Sequence, residues 1–287
     1  LLHAGVVNLG GFLMILMAPL ISEVSAAQWL LLAVAGPTAV FASLVMMTRI
    51  SIKVRLAWST CSQMGWMLVE CALGLYELAL LHLVAHSAYK AHTFLNAGNT
   101  VELSMKKRLV TVNEPGAKQW LAAAALAGLF MLPTVFLSNE TSTAHMFSWL
   151  VPGIALTILL SEFLSAGGGV VTVGRGLIIG AAFWALYWLQ KTFFGMVLAP
   201  PESQASLLEV VFVAALIAIL VRGYYQIRYH RFSPAGARLY RFLFAAGYLD
   251  EWSTRLTLKI WPAKLPDVVR PRAVVSVSST SGSRESA

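Results

Sequence analysis

The sequence is poor in charge. Of its 287 residues, 12% are Asp, Glu, Lys or Arg, against about 25% in a soluble domain. Hydrophobic residues make up 58% and the mean hydropathy is +0.72, which excludes an ordinary soluble globule. Cysteine is almost absent. Cys61 and Cys71 are the two in the chain; their separation fits no metal-ligand spacing, and no disulfide is expected. There is no Cys-x-x-Cys pair, no HExxH helix, no P-loop and no glycine-rich nucleotide fingerprint. No recognisable motif would hold a flavin, a haem or an iron–sulfur cluster, so no cofactor and no metal are expected here. Any redox or hydration chemistry would fall to another subunit. Strict apolar–polar alternation, the mark of a membrane-barrel strand, is missing as well.

What the chain does have is apolar length. Runs near the ~20 residues that span a bilayer fall at 3–21, 28–48, 59–76, 78–100, 119–138, 147–165, 174–198 and 206–222. The expected fold is therefore all-α, a polytopic transmembrane helix bundle of about eight spans. The boundary between the third and fourth runs is soft, with only the turn GLYE between them. The chain opens inside an apolar run, with no initiator Met, basic n-region or small-residue cleavage site. The front of a longer protein is expected to be missing.

The net charge of +8 could suggest a nucleic-acid partner, but its placement argues for a membrane. Arg49, Lys53 and Arg55, then Lys106, Lys107, Arg108 and Lys118, then Arg175, and finally Arg222, Arg228, Arg231, Arg238 and Arg241 occupy every second connection. The alternate connections carry Glu23, Glu77, Glu140, Glu202 and Glu209, with no Lys or Arg. The positive-inside rule makes the basic side cytoplasmic, and with it the C-terminus. Three regions follow: a transmembrane domain over 1–222, an amphipathic cytoplasmic or interfacial segment over 223–266, and a Ser-rich, disordered tail over 267–287.

His82, His86 and Lys90 interrupt an apolar helix, each four residues after the last. That spacing stacks them on one face, over about 12 Å at ~1.5 Å per residue. Lipid solvates such groups badly, so they face protein or a wet cavity. A lone membrane histidine usually serves helix packing. Three titratable groups in line read as a proton relay, since histidine titrates near neutral pH and a desolvated lysine can do so too. Four further residues are possible members. His3 is near the start of the first run. Glu70 sits in MLVECALG, either in the core or at the interface. Glu162 lies near the end of the sixth run. Lys191 lies deep in the seventh, either snorkelling or acting as a second protonatable lysine. His92, two residues past Lys90, points elsewhere. Asn8, Gly10 and Gly11 suggest close packing or a local break, and Pro133, Pro152 and Gly167 to Gly169 are candidate helix breaks.

The segment IKVRLAWSTCSQMGWMLVECALGLYELALLHLVAHSAYKAHTFLNAGNTVE resembles the proton-translocating antiporter-like membrane subunits. These include subunit L (subunit 5) of NADH-quinone oxidoreductase and the large subunits of multi-subunit Na+/H+ antiporters. The shared pattern is a basic loop, here Lys53 and Arg55; a Ser-Thr-x-Ser-Gln-x-Gly stretch, here Ser59, Thr60, Ser62, Gln63 and Gly65; and His-x3-His-x3-Lys, here His82, His86 and Lys90. His3 matches the family's His-Ala stretch in LLHAGVVNLGGF. Within the family, HSAYKAHTFLNAGNTVE and GYLDEWSTRLTLKIWPAKLP are similar to the DabB group, the membrane subunits of DAB inorganic-carbon pumps.

The resemblance implies the C-terminal part of an antiporter-like subunit in a bacterial inner membrane. It implies a transport subunit rather than an enzyme, passing protons or Na+ down their gradient. It also implies a DabA-like zinc-binding peripheral subunit on the cytoplasmic side, where that flow drives hydration of CO2 to bicarbonate. The alternatives are a proton-pumping subunit L/5 among other quinone-reductase subunits, a Na+/H+ antiporter subunit, and a scaffold whose polar residues only pack helices. One departure stands out. Subunit L-like chains carry a lysine or an acid in a broken helix after the His-Lys helix. Here ALAGLFMLPTVFLSNETS offers Pro133 but no lysine. The usual exit group is missing or replaced, with Lys191 or Glu162 as substitutes.

Overall fold

The computed structural model describes residues 5–99, 102, 105, 115–137, 143–165, 169–197 and 205–261. His3, the basic run at 106–108, Glu140, Glu202 and the 267–287 tail lie outside the described residues. The fold is all-α. Two short helices, α1 (Asn8–Leu16) and α2 (Ala18–Glu23), precede α3 (Ser25–Thr48), α4 (Ile52–Ala72) and α5 (Tyr76–Leu95). A 3-10 turn follows at Asn96–Asn99; then come α6 (Ala117–Leu137), α7 (Thr143–Ser165), α8 (Gly169–Val197) and α9 (Leu207–Tyr229). Last are α10 (Pro234–Phe244), a 3-10 turn at Ala246–Tyr248, and α11 (Leu249–Ile260). Among the described residues, three helical stretches are long and apolar enough to cross a membrane: Ser25–Thr48, Val173–Met196 and Leu207–Tyr229.

The breaks fall elsewhere than proline suggests. Pro37, Pro133 and Pro152 all sit inside continuous helices. Each removes one N–H donor without dividing its helix, which neighbouring groups can tolerate in a membrane bundle. The first apolar run is instead divided at Met17, and Pro19 sits in the opening turn of α2, where its missing N–H has no intrahelical role.

Small residues set how closely the helices approach. A Cβ added at Gly65 of α4 would lie 2.9 Å from the Ala39 Cβ and 3.0 Å from its backbone nitrogen. One turn further along, the Ser43 and Ser62 hydroxyls hydrogen-bond across the same seam. Gly36 and Gly223 admit Leu216 and Leu44 where α9 crosses α3, and Gly11 of α1 admits Met67. The core here is Leu32, Val69, Leu73, Leu78 and Val213, joined by Tyr187 of α8. A second core, Ala123, Ala127, Met131, Leu156 and Leu160, holds α6, α7 and α8 together.

Residues 1–245 form one compact unit, and the chain from Ala246 forms another. α10 belongs to the first unit. Its N-terminus is capped by Ser233 Oγ, which accepts from Gly236 N–H at 3.1 Å. Arg49 donates to the Leu243 carbonyl at 3.3 Å and lies over the Trp58 and Phe244 rings. In the second unit, α11 has Asp250 and Glu251 in its first turn and Lys259 in its last, the charge order a helix dipole favours.

Candidate functional site

The site is built by a turn. α4 ends at Ala72, and Gly74 takes a left-handed conformation with φ 75°, which costs glycine nothing. Gly74 N–H donates to the Cys71 carbonyl at 3.1 Å, and Leu75 N–H donates to the Glu70 carbonyl at 2.8 Å. This is the Schellman pattern of helix termination. It reverses the chain within three residues and lays α5 back along α4.

His82 therefore returns to the side of Glu70. Its Nδ1 lies 3.0 Å from Glu70 Oε1 and 3.1 Å from Oε2. Its Nε2 lies 2.7 Å from Gln63 Oε1. Gln63 and Glu70 are seven residues apart, two helical turns, and so share a face of α4. Nδ1–H donates to the carboxylate. At Nε2 the Gln63 oxygen is also an acceptor, an arrangement that suits the imidazolium. Turning the Gln63 amide over presents its NH2 to Nε2 and suits the neutral ring. Gln63 can therefore serve both protonation states of His82.

His86 follows one turn on and is 4% exposed. Lys90 follows another turn on and is fully buried. Its Nζ donates to the Leu56 carbonyl at 2.7 Å, an oxygen that also accepts from the Thr60 hydroxyl at 3.0 Å. No carboxylate pairs with Lys90 among the described residues. Its remaining N–H groups are available to water or to a moving partner. On the other flank of α5, Asn8 Nδ2 donates to Ser87 Oγ at 2.6 Å, fixing α1 beside the line.

A cavity of about 240 Å³ opens onto the Glu70 end. Gln63, Glu70 and His82 form its polar floor, and Trp66, Val213 and Leu220 stand among its apolar walls. At ~30 Å³ per molecule it has room for several waters, and the polar groups on its floor could hold them.

Of the other candidate residues, Glu70 joins the line directly. Lys191 is half-buried in α8, and α8 packs against α5. Glu162 is exposed on α7 and is not brought to the line. His92 is exposed and accepts from Asn96 Nδ2 at 2.8 Å. Cys61 and Cys71 are both free thiols. Gln63 is the residue whose place in the site the sequence reading did not anticipate; its shared face with Glu70 was the available clue.

The family model for the membrane region of NADH:quinone oxidoreductase and Mrp antiporters matches residues 1–165. A probable inorganic carbon transporter subunit DabB from Hydrogenovibrio crunogenus is 44% identical over 275 residues, covering 95% of this chain and 52% of that protein. A probable inorganic carbon transporter subunit DabB2 from Halothiobacillus neapolitanus is 30% identical over 292 residues, covering 98% of this chain and 53% of that one. NADH-quinone oxidoreductase subunit L from Rhodobacter capsulatus is 39% identical over 102 residues, 35% of this chain and 14% of that protein. The chain spans about half the length of the two carbon-transporter relatives. With its all-α architecture and a His-His-Lys line on α5 whose His86 and Lys90 are buried, the chain belongs to the membrane family shared by NADH:quinone oxidoreductase and the Mrp antiporters.

Proposed function

We propose that this chain is part of a cation-conducting membrane subunit, carrying protons, in an energy-coupled inorganic-carbon uptake complex. The observation behind this reading is the line from buried Lys90 through His86 to His82, which ends on the Glu70 carboxylate. The likeness to DabB chains names the setting.

A proton on His82 Nε2 is held by Gln63 Oε1, while Nδ1–H stays with Glu70. Release of the Nε2 proton toward His86 lets the Gln63 amide turn over and donate in its place. His86 and Lys90 each lie one turn further on, so bridging waters complete the steps between side chains. Lys90 exchanges its proton while its head group rests on the Leu56 carbonyl. Glu70 hands protons to or takes them from the cavity beside it. Lys191 is the candidate for a further relay group. His3 and Glu162 are weaker ones, Glu162 because it is exposed on α7.

The protein sits in a bacterial inner membrane with its C-terminus in the cytoplasm. There a DabA-like zinc-binding peripheral partner hydrates CO2 to bicarbonate, driven by the ion flow. This chain supplies transport, and the partner supplies the catalysis. In the full-length protein, Lys90→Ala should abolish proton flux in liposomes and growth at limiting CO2, with membrane yield unchanged. Wild-type flux in that variant would sink the reading. A quinone-reductase or Na+/H+ antiporter setting is the second reading, favoured by the 102-residue likeness to subunit L. Mass spectrometry of proteins co-purifying in mild detergent separates the two. One large zinc protein supports carbon uptake, and a set of oxidoreductase or antiporter subunits supports the second.

A further inference from the structure

Glu77 is an acid to which the line described above gives no role. It stands in the first turn of α5 and is half-buried. α8 packs against this helix, and a Cβ added at Gly195 would lie 3.3 Å from Glu77 Oε1 and 3.4 Å from Oε2. The carboxylate therefore rests on the last turn of α8, which ends at Val197. That end of a helix carries partial negative charge, so an acid there needs a cation close by. Lys191 lies four residues before Gly195. It shares Gly195's face of α8 about one turn away, with Cβ positions ~5–6 Å apart, a distance a lysine's four-carbon stem covers.

We propose that Glu77 and Lys191 form an ion pair between α5 and α8, and that this pair is the acid–base couple at the end of the path opposite Lys90. The proposal rests on the relay reading above. It fills the place of the lysine that the 121–141 segment lacks. In a transfer step, the Glu77 carboxylate gains a proton arriving from the Glu70–His82 end. Its attraction for Lys191 is then lost, and the Lys191 ammonium releases one proton to water. One proton enters and one leaves. Glu77 then returns its proton to Lys191, and the pair reforms.

The test uses the full-length protein with its partner, reconstituted in liposomes, with proton flux read by a trapped pH-sensitive dye. Glu77→Gln and Lys191→Met should each cut flux about tenfold or more. The double variant should fall no further than either single one, as residues acting as a unit do. Losses that multiply in the double variant, or wild-type flux in either single one, would overturn the pair. If a single variant fails to accumulate in the membrane, the exchange of Glu77→Lys with Lys191→Glu decides. Accumulation regained supports the pair, and accumulation still lost overturns it. Lys90→Ala, measured alongside, separates the two claims. Inactive Lys90→Ala beside active Glu77→Gln and Lys191→Met defeats the pair alone. Active Lys90→Ala defeats the relay reading and the pair with it.

Discussion

The α4–α5 hairpin and the α6–α8 group are both made mostly of apolar and small residues, and both contain polar side chains. They differ in where those side chains make their bonds. In the hairpin, beside hydroxyls bonded within their own helix such as Thr60 and Ser87, several bonds cross between helices: Glu70 and Gln63 to His82, Lys90 to the Leu56 carbonyl, and Ser62 to Ser43 of α3. In α7 they fold back on their own helix. Thr157 donates to the Gly153 carbonyl at 2.8 Å, Ser161 to Ile158 at 2.8 Å, and Ser165 to Glu162 at 3.0 Å. Between α6 and α7 the contact is alanine, leucine and methionine. A hydroxyl bonded to its own helix is satisfied locally and connects nothing. A bond between helices joins elements that can move, and it can carry a proton from one to the next.

The sharpest way to break this contrast is to remove one polar side chain from each region. Glu70→Gln deletes the charge that accepts Nδ1–H of His82. A hydrogen bond to a charged group contributes about 1.5–3 kcal/mol, so proton flux in liposomes should fall roughly tenfold to hundredfold. Ser161→Ala removes a hydroxyl bonded only within α7 and should leave flux unchanged. Equal behaviour of the two variants would mean that the Glu70–His82 bond packs helices and does nothing more.

Why the hairpin's face was legible and its partner was not follows from what spacing encodes. The interval from His82 to His86 to Lys90 fixes one face of one helix. It does not state which helix lies opposite, because that depends on where the chain reverses. The reversal was readable only softly, as the short turn GLYE, although Gly74 marks a left-handed termination. The pairing of His82 with Glu70 and Gln63 needs that turn, which lays α5 back along α4. Glu209 shows the same limit. Its position suggested an acid of an outer connection, whereas it is 2% exposed and caps α9. Glu209 N–H donates to Ser206 Oγ at 3.4 Å, and its carboxylate accepts from Ser206 N–H at 2.9 Å. The Ser-x-x-Glu spacing of a capping box was in the sequence to be read. Gly11 meets Met67 as close packing requires, while a Cβ at Gly10 would meet nothing within 4 Å. A glycine pair in sequence does not say which member faces the neighbour.

A smaller effect sharpens the comparison through packing. Gly65→Ala would push a methyl group to 2.9 Å from the Ala39 Cβ, with backbone behind it. Overpacking of that kind costs about 1–3 kcal/mol, and it should lower the thermal midpoint in mild detergent. Gly128 of α6 has nothing within 4 Å of an added Cβ. Gly128→Ala should raise stability by about 0.5–1 kcal/mol, the helix preference of alanine over glycine. A drop for Gly128→Ala would show that α6 faces a partner as closely as α4 faces α3.

The smallest expected effect tests where the path leaves the helix bundle. The resemblance to subunit L-like chains implies a helix broken beside a lysine or an acid after the His-Lys helix. Here α6 runs unbroken through Pro133, which is exposed on its surface. Alanine at 133 returns a backbone N–H to the helix and changes no titratable group. Pro133→Ala should therefore alter transport by less than about 0.5 kcal/mol, within roughly a factor of two in flux. If flux instead falls tenfold, the proline itself would be working as a discontinuity in α6, without an adjacent lysine. The exit would then lie in the α6–α8 group through backbone carbonyls rather than side chains. Glu77 and Lys191 would become a bond that only holds α5 to α8, and the division between a conducting hairpin and a supporting group would have to be redrawn around α6.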